Sequence, residues 1–306
     1  MLRVLVLHDT PDPTAPDQLD ALVQAEVFRR SLPEHDVQIA PFGADSIAAA
    51  LQADLVVNLV ESVDGDGRRG HLAASFLEAA GVRYTGNRPG VLAFTGDKEL
   101  TKQVLAARGF PVPASWPAGG PRWIVKSRWE DASLGLEDDC IVTARDLPGA
   151  AERLAPRLGG EVVVETYIPG EEVNVAILEI DGEPRVLPPA RIAFDLPAGR
   201  APIVGYRAKW DSDSPESLGT PRTFELGGLD VELLIAESLR CWHAAGLRSY
   251  ARVDWRVPDD GPPVVLELNA NPCLSPDAGF MAAAHQGGLT ERDVVRAVLA
   301  AAGVRP

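Results

Sequence analysis

An α/β protein of two or three domains is what this sequence predicts, on three observations. The length, 306 residues, exceeds one typical core. The opening stretch, 1–86, alternates short apolar runs with helical segments, the pattern of a parallel sheet covered by helices. Further on, two β-rich runs, Ala251–Val257 and Val264–Asn269, flank the turn-rich segment Pro258–Pro263 and read as a hairpin.

The elements follow in order. Leu2–Leu7 is a near-continuous apolar run, as in a buried parallel strand. Pro16–Leu32 has helical periodicity, with Leu19, Leu22, Val23, Val27 and Leu32 on or near one face. Val37–Ala40 is a second strand, Ser46–Ala53 a helix and Asp54–Val60 a third strand. After the glycine-rich loop Gly65–Gly70 come a helix, His71–Ala80, and a short strand, Val82–Thr85. No G-x-G-x-x-G follows Leu7, which removes support for a dinucleotide fold of the Rossmann kind. His8, at the carboxyl end of the first strand, fits either a ligand contact or a strand-end hydrogen bond.

Leu92–Arg108 predicts a helix capped at Thr95 or Gly96, with Lys98 and Lys102 on one face four residues apart. Two such lysines suit phosphate or simple solvation. Trp123–Lys126 is a strand, and the loop after it holds Ser133 and Gly135, which fit a backbone cradle for phosphate or a plain hairpin loop. Leu147–Leu158 is helical; Glu161–Tyr167 and Glu171–Ile180 are strands, the second ending at the turn signal Asp181–Gly182. Leu187–Asp195 is extended. A Pro/Gly/Ser-rich loop, Leu196–Leu218, is long enough to suggest function. Asp230–Ala245 is a helix with Leu233, Ile235, Leu239 and Trp242 on its apolar side, and Pro276–Ala284 and Thr290–Ala301 are closing helices.

In the hairpin, pairing Val257 with Val264 sets Asp254 opposite Glu267 and Arg252 opposite Asn269. Period-two alternation then puts all four on one face. Two carboxylates and an amide oxygen suit a hard divalent cation such as Mg²⁺, and the arginine suits an anionic substrate or a developing oxyanion. The same residues also fit a solvated strand face with one Arg–Asp ion pair.

Composition narrows the function. A net charge of −15 argues against nucleic acid as a general partner. No basic amphipathic helix or long apolar span suggests a membrane. Three scattered cysteines, Cys140, Cys241 and Cys273, make neither a zinc pattern nor a disulfide framework. The expectation is a soluble, cytoplasmic protein. Its basic residues are nearly all arginine; the lysines are Lys98, Lys102, Lys126 and Lys209. Such retained lysines suit places that need a compact ammonium, for instance against phosphate.

Six pieces in order, GVRYTG, GDKELTKQVLAARGFPVP, WIVKSRWEDASLGL, VVVETYIPGEEVNVAIL, GYRAKW and ARVDWRV…VVLELNANPCLSPDAGF, resemble the D-alanine–D-alanine ligases of the ATP-grasp superfamily over nearly the whole chain. The resemblance implies a three-domain ATP-grasp fold: an N-terminal parallel α/β domain over 1–92, and two α+β domains, 93–172 and 173–306, clasping ATP. On the matching positions Lys98 and Lys126 would meet the ATP phosphates, with Ser133 in the loop over them. Glu165 and the backbone around Tyr167 and Ile168 would hold adenine, and Glu172 the ribose. Lys209 would reach the γ-phosphate. Asp254, Glu267 and Asn269 would hold two Mg²⁺ ions, with Mn²⁺ a substitute, and Arg252 would stabilise the tetrahedral intermediate. Lys102 receives no role and is expected at the surface. The implied activity is ATP-dependent carboxylate–amine ligation through an acyl phosphate, on amino-acid or peptide-like substrates, and relatives are commonly homodimers.

Departures from the family pattern all concern the amino-acid substrates. The family's opening glycine pair, serine and glutamate are missing from HDTPDPTAPDQLD. A loop serine falls on Ala132, its tyrosine partner on Trp210, and a serine for the second substrate's carboxylate on Ala278. Each lost hydroxyl removes a specific hydrogen bond, costing roughly 1–3 kcal/mol. Asp277 and Arg207 are polar candidates for altered recognition. The expectation is therefore a ligase with changed substrates. D-alanyl-D-alanine synthesis, intramolecular cyclisation and a non-catalytic ATP-binding role are the alternatives, and Arg252 speaks against the last.

Overall fold

The computed structural model describes residues 1–12 and 16–304. Its first sheet is built from β1 (Arg3–His8), β2 (Asp36–Pro41) and β3 (Leu55–Asn58) in the parallel order β2-β1-β3. Helices α1 (Pro16–Ser31), α2 (Ala44–Gln52) and α3 (His71–Ala79) connect and cover it. β1 is apolar at both side-chain parities because its two faces are both covered. On α1 part of the expected apolar face is wrong: Val27 and Leu32 are buried as expected, but Leu19, Leu22 and Val23 are exposed, and Ala21, Gln24, Ala25 and Phe28 turn inward instead. Small residues let the helix approach the sheet closely, and the leucine count pointed to the opposite side. The expected strand at Val82–Thr85 shrinks to one parallel bridge, Val56 to Tyr84. Of the His8–Asp20 stretch, residues 13–15 lie outside the described residues.

The predicted single helix from Leu92 is two, α4 (Pro89–Gly96) and α5 (Lys98–Ala107). Asp97 divides them: its backbone is extended and its carboxylate accepts from the N–H groups of Glu99 and Leu100 at 3.0 and 3.2 Å. Thr95, an expected cap, instead donates to the Val91 carbonyl inside α4. The second sheet is antiparallel, β5 (Ile141–Thr143), β4 (Arg122–Ser127) and β6 (Val162–Thr166), ordered β5-β4-β6. α6 (Leu147–Leu154) closes a separate core of Trp123, Val125, Cys140, Leu147 and Leu158.

The third sheet is the largest. It holds β7 (Glu171–Ile180), β8 (Glu183–Val186), β9 (Ala190–Ile192), β10 (Arg222–Thr223), β11 (Tyr250–Val257) and β12 (Val264–Asn269). Its order is β10-β9-β7-β11-β12, with β8 also on β7. Asp181 and Gly182, both at positive φ, make the β7–β8 turn. The long loop expected over Leu196–Leu218 carries two short helices, α7 (Tyr206–Trp210) and α8 (Pro215–Leu218). Alternation along β7 sends Val173, Val175 and Ile177 towards α9 (Val231–Ala245), and Ala176 and Leu178 into the core shared with the first sheet. α9 buries Leu234, Ser238, Cys241 and Trp242; Leu233, expected inside, is exposed. Ser238 is inside because its hydroxyl accepts the Trp255 indole N–H at 2.9 Å. α10 (Gly279–Gln286) and α11 (Glu291–Ala301) complete the chain. Among the described residues no helix is long and apolar enough to cross a membrane.

Candidate active site

β11 and β12 pair with Arg252 opposite Asn269 and Asp254 opposite Glu267, as the alternation predicts. A register shift between Asp254 and Trp255 then sets Arg256, not Val257, against Val264. The face therefore survives at the end that matters. Arg252 grips both oxygens of Asp254, at 2.7 and 2.8 Å, and Asn174, the cross-strand neighbour on β7, donates to Oδ1 at 2.8 Å. Burial works against the Arg252 charge, but the Asp254 carboxylate outweighs it and raises the pKa. The Asn269 side-chain oxygen accepts the Asn271 N–H at 2.8 Å. Among the described residues no group of three or more His, Cys, Asp or Glu side chains is placed to hold a metal ion. A cation at this face would take two carboxylates and an amide from the protein and the rest from phosphate or water, as Mg²⁺ commonly does.

Lysines line the opposite wall. Lys98 Nζ reaches Asp131 at 2.7 Å, the Glu130 carbonyl at 3.0 Å and Glu267 at 3.2 Å. Burial pulls its pKa down, yet Asp131 and Glu267 together raise it. For Glu267, burial opposes ionisation, but Lys98 and then Lys126 hold the carboxyl well below the usual range. Lys126 Nζ contacts Glu165 Oε1 at 2.6 Å. Lys102, expected at the surface, is only 6% exposed, and its ammonium pairs with the other Glu165 oxygen. The helical spacing of Lys98 and Lys102 was readable; that their shared face points inward was not, because spacing alone does not say which face of α5 is covered. Glu165 is itself 3% exposed. Its desolvation is outweighed by Lys102 and Lys126, which lower its pKa.

The loop after β4 closes over this wall. Ala132, Ser133 and Gly135 all have positive φ, and a Cβ on Gly135 would stand 2.3 Å from the Arg157 carbonyl oxygen. Ser133 donates to the Val204 carbonyl at 2.8 Å, and the Leu136 carbonyl accepts the Tyr206 N–H at 3.0 Å. Trp210 donates its indole N–H to the Ala132 carbonyl at 3.1 Å. Two of the sequence departures thus touch one another. Lys209 sits on α7. Although the residue is exposed overall, protein crowding round its ammonium lowers the pKa, and Arg252 lowers it further against Glu267, Asp254 and Glu172. Arg207 and Asp277 are exposed, Arg207 in ion pairs with Glu216 and Asp211.

At the far end of the cleft Glu172 accepts from Arg256 at 2.9 Å. Burial raises the Glu172 pKa against the pull of Arg256. Arg256, 3% exposed, also donates to the carbonyls of Gly170 and Pro202 at 3.1 and 3.2 Å. Sequence reading missed it, although the alternation that gave Arg252 and Asp254 continues to it. Tyr167 is buried under Arg122, whose guanidinium lies 5.1 Å from the ring centre, and Ile168 is half-buried. Arg68 and His71 from the N-terminal part line the cleft beside Asp131, Glu267 and Asn269.

The model of the D-Ala–D-Ala ligase C-terminus matches residues 95–300. A D-alanine–D-alanine ligase of Chromohalobacter salexigens is 31% identical over 281 residues, covering 87% of this chain and 82% of that protein. An uncharacterized protein, y4sG of Sinorhizobium fredii, is 31% identical over 259 residues, 82% of this chain and 75% of its own length. Among solved structures, D-alanyl-alanine synthetase A of Vibrio cholerae superposes with a TM-score of 0.76 at 19% identity, covering 99% of both chains. The ATP complex of D-alanine–D-alanine ligase from Bacillus anthracis gives 0.72 at 20% identity, covering 99% of this chain and 97% of that one. This chain belongs to the D-alanine–D-alanine ligase family of ATP-grasp proteins, ATP-dependent, ADP-forming C–N ligases.

Proposed function

We propose that the chain is a carboxylate–amine ligase acting through an acyl phosphate on amino-acid or peptide-like substrates other than the D-alanine pair. The observation that carries this reading is the meeting of Lys98 with Glu267 at 3.2 Å, which sets a phosphate-type lysine wall against the oxygen-donor face of Asp254, Glu267 and Asn269. We divide the chain into lobes 1–92, 93–172 and 173–306, with the nucleotide between the last two. The one sheet in each lobe supports the division, while its limits fall inside α4 and β7, and Leu105 and Phe110 pack into the core of the third sheet.

In this reading Lys98, Lys126 and Lys209 receive the phosphates, with Ser133 in the loop above them. The backbone at Tyr167 and Ile168, with Glu165 behind it, receives adenine, and Glu172 the ribose. The donor set fits Mg²⁺, two ions in our proposal, with Mn²⁺ a substitute; when bound the metal neutralises phosphate charge. A substrate carboxylate oxygen attacks the γ-phosphorus and ADP leaves. An amine then attacks the acyl carbon, inorganic phosphate leaves, and Arg252 meets the oxyanion between these events. Closure of the 131–136 loop keeps water from the acyl phosphate.

The altered substrate choice is supported by Trp210 and Ala132. Their contact ends on a backbone carbonyl, and neither offers the hydroxyl with which the family's serine–tyrosine pair supports its substrate-binding glutamate. We place the protein in the cytoplasm and include a homodimer in the proposal. The test is phosphate release from Mg²⁺–ATP across a panel of D- and L-amino acids and dipeptides. One carboxylate–amine pair other than D-alanine should stimulate release, with ADP formed, and Glu267→Ala should abolish it. Stimulation by D-alanine alone would instead establish the activity that the named relatives carry. Full turnover in Glu267→Ala would remove that residue from the site.

A further inference from the structure

Lys102 has no part in the chemistry above, yet it is among the most deeply placed charges in the molecule. It lies one helical turn after Lys98, on the same face of α5, and its ammonium pairs with one oxygen of Glu165. Lys126, on β4, holds the other oxygen at 2.6 Å. One carboxylate thus serves two ammonium groups. Lys98 has the reverse arrangement, one ammonium between Asp131 and Glu267. The two clusters differ in sign: with every group ionised, the first carries a surplus positive charge and the second a surplus negative one.

A buried cation needs a reason, because desolvation is costly. Without Lys102, Glu165 and Lys126 would form a neutral contact pair. The Lys126 head would then be drawn wholly onto the carboxylate and its charge spent there. With Lys102 present, Glu165 is held from the far side and its attention is divided, so Lys126 keeps a share of its charge for an incoming anion. We propose that Lys102 is a positioning residue of the phosphate site: it pins Glu165 and through it sets the place and the free charge of the Lys126 ammonium. The proposal rests on the reading of this cleft as a nucleotide site. Burial lowers the Lys102 pKa to about 8, with Glu165 opposing and Lys126 adding to the fall, so the group keeps its charge only below that pH.

The test measures ATP and adenosine affinity, with Mg²⁺ present, in the full chain and in Lys102→Met, Lys126→Met and the double variant. Lys102→Met should weaken ATP by about tenfold, the scale of one charge-assisted hydrogen bond. Adenosine, which meets the Glu165 region but has no phosphates, should lose less affinity than ATP, a result that general damage to the fold would not give. The double variant should bind ATP no more weakly than Lys126→Met, because Lys102 acts through Lys126. Equal ATP affinity in Lys102→Met and the parent, equal losses for ATP and adenosine, or additive losses in the double variant would each overturn the proposal. If Lys102→Met does not fold, Lys102→Arg and Lys102→Gln decide. The arginine should keep ATP affinity and the glutamine lose it; equal affinity in the two overturns the proposal. Failure of the parent protein itself to bind ATP would instead overturn the nucleotide site.

Discussion

Arg252 and Asp254 were legible because a strand has only two faces: once a hairpin is read, the side of every residue follows. The bulge after Asp254 was not legible, since nothing in the sequence marks the extra residue, but it falls beyond the paired carboxylates. Arg252→Ala should lower kcat by about 10²–10³-fold, the usual cost of losing one oxyanion partner, with little change in the KM for ATP. An unchanged kcat would make the arginine only Asp254's ion-pair partner. Lys102 shows the other limit, for burial of a helix face depends on what packs there. Its titration gives a stability prediction. The native pKa, about 8, lies below the ordinary 10.5. Between these values the unfolded chain holds a proton that the native state has released, so the Lys102 contribution to stability is full above 10.5 and lost as pH falls through 8. In urea titrations, Lys102→Met should gain stability relative to the parent as pH is lowered from 10.5 to 8; a constant difference would contradict the depressed pKa.

At the scale of elements, the sheet strands were read more faithfully than the helix faces. α1 and α9 both bury small or polar residues, Ala25 and Ser238, where counting leucines pointed elsewhere. Ser238 needed a distant partner, Trp255, to come inside, and pairing of that kind is invisible to periodicity. The division of α4 from α5 rests on Asp97, which caps α5 and pairs with Arg128 at 2.7 Å. Asp97→Ala should cost about 1–2 kcal/mol, visible as a lower urea midpoint with an unchanged slope. It should also weaken ATP binding, because α5 carries Lys98 at its start and Lys102 one turn later. Unchanged stability would mean that the backbone, not the carboxylate, ends α4.

Across the whole molecule, the first and third sheets share one core, in which Val6, Phe28 and Leu32 meet Leu178, Tyr250, Phe280 and Val298. Asn87 reinforces it by donating to the carbonyls of Tyr250 and Ala270 at 2.9 and 2.7 Å. The second sheet keeps its own core, and the loop after β4 meets the third sheet and its helices across the cleft through polar contacts such as Asp131–Lys98, Ser133–Val204 and Trp210–Ala132. Such contacts can be exchanged for those to a ligand at lower cost than apolar packing. The order of motifs made the family legible, whereas the substrates were not, because they depend on the few positions where this chain departs from its relatives. The central claim is ligation through an acyl phosphate, and an isotope experiment tests it most directly. The stimulating carboxylate would be labelled with heavy oxygen and turned over with ATP and its amine partner. One labelled oxygen should appear in the released phosphate for each product formed. Product formed with unlabelled phosphate would contradict the mechanism.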